Sequence, residues 1–442
     1  MKQRRIIAKR NSQDQKSKEE IREYIRTGMI VCIILNSLGF PGRYTELLGN
    51  SISTLCEYGC FALQIILMMT SDSKGLMELK LIDLKAKYIP VYLVPIVFGV
   101  ESMLVSRYPQ EQVITCVRFG VTVLFAAWLA ETYTAEEILK MIYYALAAFA
   151  GANLIFLVIA PGRAFIHEVS DHDFAGILQT KNNAAAELSL GILMQMALFK
   201  VFREKQKKIS RNFIVLLVLQ GILVILCNAT GALFCAVLPI IYLFLMDRKN
   251  GQIRLQLGVL YITASVGFIF VALSILPLFD SFFQAIGKDA TLTGRVPLWR
   301  QIVKVMSEHH TFTGYGYGMF WRDRSAVALI HSAFYRNSFM GSMTTGAHNV
   351  ILELWLNVGL LGIGSFFVAI LAAMSHIRRL SNENYIFCSC YLLWFLLFGL
   401  TERAFSPYQY QTLFLFIILG VACNKPLPEG RRVRKVERHD DI

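Results

Sequence analysis

The chain has 442 residues, of which 55% are hydrophobic and only 17% are charged, and its mean hydropathy is +0.49. Because a soluble domain usually carries about 25% charged residues, this composition excludes a soluble globular protein and indicates a polytopic membrane protein. The net charge of +13 is expected to meet the anionic lipid of a bilayer, and no nucleic acid is expected as a partner.

Twelve apolar segments are long enough to cross a bilayer, each about 17–25 residues with its flanks. The first is cut short by Phe40-Pro41-Gly42, and the turn from Asn228 to Gly231 separates the seventh from the eighth. The sequence therefore predicts an all-α bundle of about twelve transmembrane helices. The segments lie near residues 23–40, 51–70, 88–106, 112–131, 137–160, 183–201, 212–228, 231–247, 256–279, 348–375, 385–402 and 409–424.

The distribution of basic residues predicts which side of the membrane each loop faces. With the N-terminus inside, the inner loops carry 31 of the 44 Lys and Arg residues, the outer loops carry 12, and Arg118 falls within a span. Such an excess marks cytoplasmic loops. We therefore expect a multi-pass protein of the cytoplasmic membrane with both termini in the cytoplasm. The N-terminal segment is too charged to be a cleaved signal peptide.

Loop lengths divide the chain into five predicted parts. Most loops are short, but about 68 residues separate the ninth and tenth segments, and a loop of that length is commonly functional. The parts are a basic cytoplasmic N-terminus (1–22), transmembrane helices 1–9 (23–279), an extracytoplasmic loop (280–347), transmembrane helices 10–12 (348–424) and a basic cytoplasmic tail (425–442).

The long loop is predicted to fold against the membrane surface. Apolar residues at helical spacing in "GRVPLWRQIVKVMSEHH", from Gly294 to His310, indicate an amphipathic helix that lies on the bundle. The stretch "TGYGYGMF", from Thr313 to Phe320, indicates a turn or a close approach of two backbones. Positive charges exceed negative ones in this loop, which suits an anionic headgroup or a diphosphate, because arginine can hold two phosphate oxygens at once.

His348 and the polar residues after it form the leading candidate site. Asn349, Glu353 and Asn357 recur every four residues along one flank of an apolar helix, and polar groups within a span usually face the protein interior and mark functional paths. A histidine opposite arginines would stay neutral at pH 7, and neutral imidazole can accept a proton as a general base. The alternative interpretation is a histidine that only caps or packs the helix.

The spacing of these residues resembles a known family signature. His348-Asn349 is followed after nine residues by Gly359 and after two more by Gly362, which resembles the O-antigen ligase and polymerase superfamily of bacterial membrane glycosyltransferases. The two glycines would also allow close packing of helices. "TGRVPLW", from Thr293 to Trp299, is similar to that family's loop motif around a functional arginine.

Two further stretches are similar to the family. "GYGYGMF", ending at Phe320, is similar to its glycine-rich stretch, and "FAGILQTKNNAA", from Phe174 to Ala185, is similar to its entry into a middle helix. The resemblance extends over residues 150–420, which include the long loop and the helix that follows it.

This resemblance implies a membrane-glycosyltransferase-like bundle with an extracytoplasmic active site. The implied donor is a glycan on undecaprenyl diphosphate, and the implied acceptor is a sugar hydroxyl. Arg295 would hold the diphosphate and offset charge on the leaving group, and His348 would take the proton from the acceptor. No cofactor and no divalent metal are implied. The residues expected to support the site are Asn349, Glu353, Gly359, Gly362 and Trp299.

One departure from the family concerns the second cation at the donor. Family ligases commonly carry another arginine in the short outer turn that here reads "CNATGALF" and has no basic residue. Either other residues complete the donor-binding set, with Arg300, Lys181, Asn182 and Arg403 as candidates, or the donor is held differently.

Two other polar groups could take part in chemistry. Asp171-His172-Asp173 imitates a metal-binding D-x-D motif, although an exposed polar loop is the simpler interpretation. Glu402-Arg403 could pair with each other, pair with the long loop or bind substrate.

The remaining ionisable groups are interpreted as structural. Arg118, within the fourth span, could pair with Glu101 or Glu131 or reach towards lipid. His309-His310 is expected to be a solvated helix end. The nine cysteines show no disulfide or metal spacing.

Three variants of one chemistry and one different class of function remain open. A cell-surface polysaccharide polymerase leads, a ligase that attaches glycan to a lipid or wall acceptor follows, and protein O-glycosylation is a third variant. A polymerase would imply a flippase and a chain-length regulator as partners. A flippase of lipid-linked glycans is the different class, but transporters often show repeat symmetry and sites near mid-membrane, whereas these polar groups gather beside one asymmetric loop.

Overall fold

The fold is seen in a computed structural model of the chain. It describes residues 2–70, 89–166, 173–245, 257–279, 281, 292, 294–334, 345–375, 377, 380–403, 405 and 409–423.

Helices make up almost all of the described chain. They are α1 (Lys2–Ser37), α2 (Thr45–Leu48), α3 (Ser51–Met69), α4 (Ile89–Val105), α5 (Pro109–Thr132), α6 (Ala135–Ile159), α7 (Pro161–Ala164), α8 (Lys181–Glu204), α9 (Arg211–Leu226), α10 (Thr230–Leu245), α11 (Leu257–Phe270), α12 (Arg295–Glu308), α13 (Arg324–His331), α14 (Val350–Met374), α15 (Asn382–Thr401) and α16 (Tyr410–Cys423). A π-helical turn (Val271–Ile275) follows α11, and short 3-10 turns cover Gly42–Tyr44, Leu276–Phe279 and Phe320–Arg322. Two short strands, β1 (Phe165–Ile166) and β2 (Asp173–Phe174), pair antiparallel.

The apolar helices follow the segments predicted from the sequence. Among the described residues, α3, α5, α6, α8, α14 and α15 are each long and apolar enough to cross a membrane. Lys18–Ser37 and Gly42–Leu48 pass the same test as a pair bent by 88°, at the predicted break around Pro41. Five shorter apolar helices cover the other predicted segments. These helices confirm a helical membrane protein, and the number of crossings stays a prediction.

Capping side chains set where several helices begin. Thr134 accepts a hydrogen bond from the backbone of Glu137, and the Glu137 carboxylate accepts one from the backbone of Thr134, which forms a capping box at the start of α6. Thr180 and Ser381 cap α8 and α15 through their hydroxyl groups. These caps satisfy N–H groups that a helix leaves free in its first turn.

The predicted amphipathic helix of the long loop is confirmed as α12. Its apolar face, which includes Leu298 and Trp299, is fully buried. This face packs in a second hydrophobic cluster with Leu352 and Leu356 of α14. The polar side of α12 is left exposed, so the helix covers the flank of α14.

The helix α14 is interrupted near its middle. Val358 (φ −132°, ψ 15°) and Gly359 (φ 56°, ψ −168°) leave the helical conformation. A Cβ on Gly359 would lie 2.2 Å from the carbonyl carbon and oxygen of Phe312. Only glycine adopts such a backbone conformation and such a close approach without strain.

The glycine-rich stretch, defined here as residues 311–318, completes the hydrogen bonding of the interrupted helix. The stretch "TGYGYGMF" was predicted to form a turn or a close approach of two backbones, and the structure confirms the close approach. Gly314 and Gly316 both have positive φ, and they lie against α14 and α5, respectively. Backbone groups on both sides of the interruption pair with the stretch, through the bonds Tyr315 N to Leu356 O (2.9 Å), Gly316 N to Asn357 O (2.9 Å), Leu360 N to Thr311 O (3.1 Å) and Leu361 N to Phe312 O (3.2 Å).

We predict that Gly359→Ala destabilises the protein strongly. A methyl group there meets backbone atoms that cannot move aside, and the left-handed conformation adds strain, so a loss on the order of 2–3 kcal/mol is expected. Thermal unfolding of the purified protein in detergent measures the effect. Gly364→Ala, in the same helix with no atom within 4 Å of its Cβ position, is the matched control. Equal melting temperatures for both variants would contradict the role given to the interruption.

Candidate active site

His348 lies two residues before the start of α14, in a strained backbone conformation. Its φ of 48° is left-handed, which costs a non-glycine residue on the order of 1–2 kcal/mol. The conformation is held from both sides. Trp299 Nε1 donates to the carbonyl of Ala347 (2.7 Å), and Asn349 caps α14 by accepting from two backbone N–H groups of its first turn. Strain held in this way concentrates at functional sites.

Glu402, directly after α15, joins His348 to Arg295. Arg295, the first residue of α12, donates through Nη2 to Oε1 of Glu402 at 2.5 Å. The other oxygen, Oε2, lies 3.1 Å from Nδ1 of His348. The side chains of Arg295, His348 and Glu402 are 21%, 27% and 17% exposed. The structure thus brings the two predicted catalytic residues together on one half-buried carboxylate that remains accessible.

The sequence predicted arginines opposite the imidazole, and in the structure the carboxylate of Glu402 lies between Arg295 and His348. Of the three possibilities for Glu402, the structure shows the pairing with the long loop, through Arg295. One feature of the sequence is consistent with this pairing: Glu402 is an acidic residue at the end of an apolar segment, on the same predicted side of the membrane as His348. Its neighbour Arg403, and not Glu402, was the predicted donor-binding residue.

The carboxylate determines what the imidazole can do. When Nδ1 of His348 carries a proton, it donates to Glu402, and Nε2 keeps its lone pair for a proton acceptor role. The same carboxylate offsets positive charge on the ring after a proton arrives. An Arg–Glu–His cluster of this kind can orient a base and hold an anion beside it.

The polar stripe of α14 is buried and occupied by internal hydrogen bonds. Asn349, Glu353 and Asn357 are 0%, 4% and 5% exposed. Asn349 donates to the carbonyl of Leu400 (3.0 Å), and Asn357 accepts from the backbone of Gly318 (2.9 Å). The stripe therefore ties α14 to the end of α15 and to the glycine-rich stretch.

Glu353 is the central acceptor of this stripe. Trp321 Nε1 lies 3.0 and 3.1 Å from its two oxygens. The backbone N–H of Ala347 donates to Oε2 (2.8 Å), and the amide of Asn357 donates to Oε1 (3.3 Å). Glu353 thus positions the residue before His348 and does not line an open path.

The predicted glycines act differently from each other. Gly359 forms the interruption of α14, whereas Gly362 lies within its second half. A Cβ on Gly362 would lie 3.3 Å from the ring of Phe98 in α4 and 2.3 Å from the side chain of Val358. Gly362 therefore lets α4 approach α14 closely.

Lys181 and Asn182, two of the predicted donor-binding residues, lie at the start of α8. Lys181 forms an ion pair with Asp173 (2.6 Å), and Asn228 Nδ2 donates to the other oxygen of Asp173 (3.3 Å). Asn182 is exposed. The charge of Lys181 is thus already offset by a neighbouring carboxylate.

Arg300 and Arg403 take different positions. Arg300 is exposed and donates to the carbonyl of Leu273 (3.3 Å). Arg403 donates to the carbonyl of Thr345 (3.0 Å), and its Cδ lies 3.6 Å from the Cβ position of Gly346. Arg403 therefore flanks the segment that carries His348. It also directly follows Glu402 in the chain, so it is a candidate for the second cation beside the Arg–Glu–His cluster.

The other polar groups noted in the sequence have varied outcomes. Residues 167–172, which hold most of the D-x-D-like segment, lie outside the described residues, and Asp173 serves the pair with Lys181. His310 was expected to be solvated, but its ring packs 4.2 Å from that of Tyr315. Burial, followed by the charges of His309 and Arg107, lowers the pKa of His310 below its usual value.

The fold and the cluster define a helical membrane protein with an Arg–Glu–His site at one end of its bundle. Comparison with known proteins then shows what this chain is similar to. Residues 214–367 match the family model described as O-antigen ligase. The exopolysaccharide production protein ExoQ of Rhizobium meliloti (strain 1021) is 28% identical over 242 residues, which cover 53% of this chain and 54% of the relative. The chain thus matches about half the length of this curated relative.

The two matches confirm the resemblance to the O-antigen ligase and polymerase superfamily. The family match contains both Arg295 and His348 and ends before Glu402. The carboxylate of Glu402, which joins them, therefore lies outside the matched residues.

We predict that Glu353→Gln lowers the stability of the site. Both carboxylate oxygens accept from N–H groups, so an amide NH2 in either position faces another donor, at an expected cost of about 1–3 kcal/mol. The melting temperature in detergent and resistance to trypsin measure the effect. Glu308→Gln makes the same chemical change at an exposed position and serves as the control. An unchanged melting temperature for Glu353→Gln would show that the hydrogen bonds do not matter.

Proposed function

We propose that the protein is a cell-surface polysaccharide polymerase. It transfers glycan from an undecaprenyl-diphosphate-linked donor to a sugar hydroxyl at the outer face of the cytoplasmic membrane. The observation that carries the proposal is the single carboxylate of Glu402 that holds both Arg295 and His348. The match to the O-antigen ligase family and the name of the relative, an exopolysaccharide production protein, support the same chemistry.

His348 acts as the general base in the proposed reaction. With Nδ1–H directed to Glu402, Nε2 accepts the proton of the acceptor hydroxyl as the hydroxyl oxygen attacks the anomeric carbon. The bond between that carbon and the diphosphate oxygen breaks, and its electron pair leaves with undecaprenyl diphosphate. Attack opposite the leaving group inverts the anomeric centre.

Arg295 stabilises the leaving diphosphate. Glu402 occupies one guanidinium nitrogen, Nη2, and the remaining N–H groups can donate to phosphate oxygens. Arg295 is also the first residue of α12, and the positive end of the helix dipole there favours an anion. Arg403 supplies a second positive charge. These cations stabilise negative charge without a divalent metal, so transfer should continue in the presence of EDTA.

A ligase is the second candidate function. The description of the matching family names an O-antigen ligase, and a ligase would use the same base and the same donor site. The two differ in the acceptor, which is a second lipid-linked glycan for a polymerase and a lipid, wall or protein acceptor for a ligase. Proteoliposomes containing only a defined undecaprenyl-diphosphate-linked repeat distinguish them, because only the polymerase should form longer products.

We predict that His348→Ala and Arg295→Ala each reduce transfer by about 10²- to 10⁴-fold, because one removes the base and the other removes charge stabilisation. Product length in proteoliposomes measures the effect, and protein level in the membrane is measured in parallel. The controls are His309→Ala and Arg322→Ala, which change exposed residues of the same types. Near-normal activity of both site variants would end the proposal.

We predict that Glu402→Gln lowers kcat by about 100-fold with a smaller change in KM. The amide still fills the space but no longer orients both partners, and misplacement of reacting groups by about 1 Å has an effect of this size. Glu402→Asp should restore part of the rate, whereas a purely structural residue would lower the amount of folded protein instead. A rise in KM with unchanged kcat would assign Glu402 to substrate binding and not to positioning.

A further inference from the structure

A groove that contains an ion pair lies between α1, α3, α5 and α16, apart from the Arg–Glu–His cluster. Its cavity volume is about 40 Å³, which admits a group of the size of a water molecule or an ammonium, and it is open to the surroundings. Apolar atoms form most of its lining, and the polar side chains that line it are those of Asn36, Ser37, Glu57, Gln64, Arg118, Thr122 and Gln409. Gln409 directly precedes α16, and Arg118 lies nine residues after the start of α5, which is about 14 Å along that helix.

An ion pair forms the centre of this groove. Arg118 forms an ion pair with Glu57 of α3, whereas the sequence suggested Glu101, Glu131 or lipid as its partner. The Arg118 guanidinium also lies 4.4 Å from the centre of the Tyr58 ring. The Arg118 side chain is 9% exposed, whereas that of Glu57 is 42% exposed. The carboxylate is therefore the accessible member of the pair.

The groove opens onto the apolar surface of the bundle. Leu55, Ile114 and Val117 beside it are 73%, 50% and 54% exposed, as expected for side chains that face lipid. Acyl chains cannot form hydrogen bonds, so polar groups exposed to them are costly and usually functional. The amide oxygen of Gln64 is buried and accepts no hydrogen bond from the described residues. The groove thus offers a carboxylate and an amide acceptor beside a guanidinium.

We propose that this groove binds the headgroup of a zwitterionic phospholipid with a primary ammonium group, such as phosphatidylethanolamine. The phosphate lies at the guanidinium of Arg118, and the ammonium donates to Glu57 and to the amide oxygen of Gln64. A site with one positive and one negative side chain matches a headgroup that carries both charges. An anionic headgroup would leave Glu57 repelled, and a quaternary ammonium would leave the two acceptors without N–H donors.

Native mass spectrometry of the full-length protein tests the proposal. The protein in detergent is mixed with equal amounts of phosphatidylethanolamine, phosphatidylcholine and phosphatidylglycerol of the same acyl chains. We expect about tenfold more bound phosphatidylethanolamine than either of the others, because hydrogen bonds to a charged acceptor contribute this much. Equal retention of the three lipids, preference for phosphatidylglycerol, or no retained lipid would each overturn the proposal.

Variants assign the binding to the groove. Glu57→Gln should remove the preference for phosphatidylethanolamine over phosphatidylcholine, and Arg118→Gln should lower retention of both. Glu111→Gln, an exposed change at the start of α5, should keep the wild-type preference. If Arg118→Gln fails to fold, the lipid competition on the wild type and on Glu57→Gln still decides the outcome. The assignment would be refuted if Glu57→Gln kept the wild-type lipid preference. It would also be refuted if the spectra showed a second copy of the chain bound and no lipid.

Discussion

The backbone pairing between the interrupted helix α14 and the glycine-rich stretch supports the rest of the site. In apolar surroundings an unpaired N–H or C=O group costs several kcal/mol, so a helix can leave its regular path only where other groups supply the missing bonds. Residues 311–318 supply them on both sides of Val358 and Gly359. Because this stretch follows α12 closely in the chain, the pairing also limits where α12 lies, and with it Arg295.

The carboxylate of Glu402 turns this framework into a candidate active site. It follows α15, while its two partners begin α12 and precede α14, so three elements meet at one acidic group. A half-buried carboxylate holds cationic and hydrogen-bonding partners more firmly than an exposed one, because water screens the charges less. The same group therefore orients the imidazole and keeps the guanidinium beside it, with part of each side chain accessible.

The polar stripe of α14 shows how far a sequence pattern can be interpreted. A repeat of four places Asn349, Glu353 and Asn357 on one flank of a helix, and that flank does face the protein interior. The pattern does not specify what meets the flank. In the structure its partners are backbone groups and the indole of Trp321, so the stripe positions the neighbours of His348 and does not form a path for substrate.

The sequence by itself determined the class of protein, the positions of the apolar helices, the break near Pro41 and the amphipathic helix α12, because length, hydrophobicity and periodicity are properties of neighbouring residues. It also pointed to Arg295 and His348 through a family resemblance. Only the tertiary structure decided that Glu402 joins them, that Arg118 pairs with Glu57 and that α14 is interrupted. Those contacts link residues far apart in the chain, 107 positions for Arg295 with Glu402 and 54 for His348 with Glu402. Such contacts follow from how the helices pack, and no local pattern records that packing.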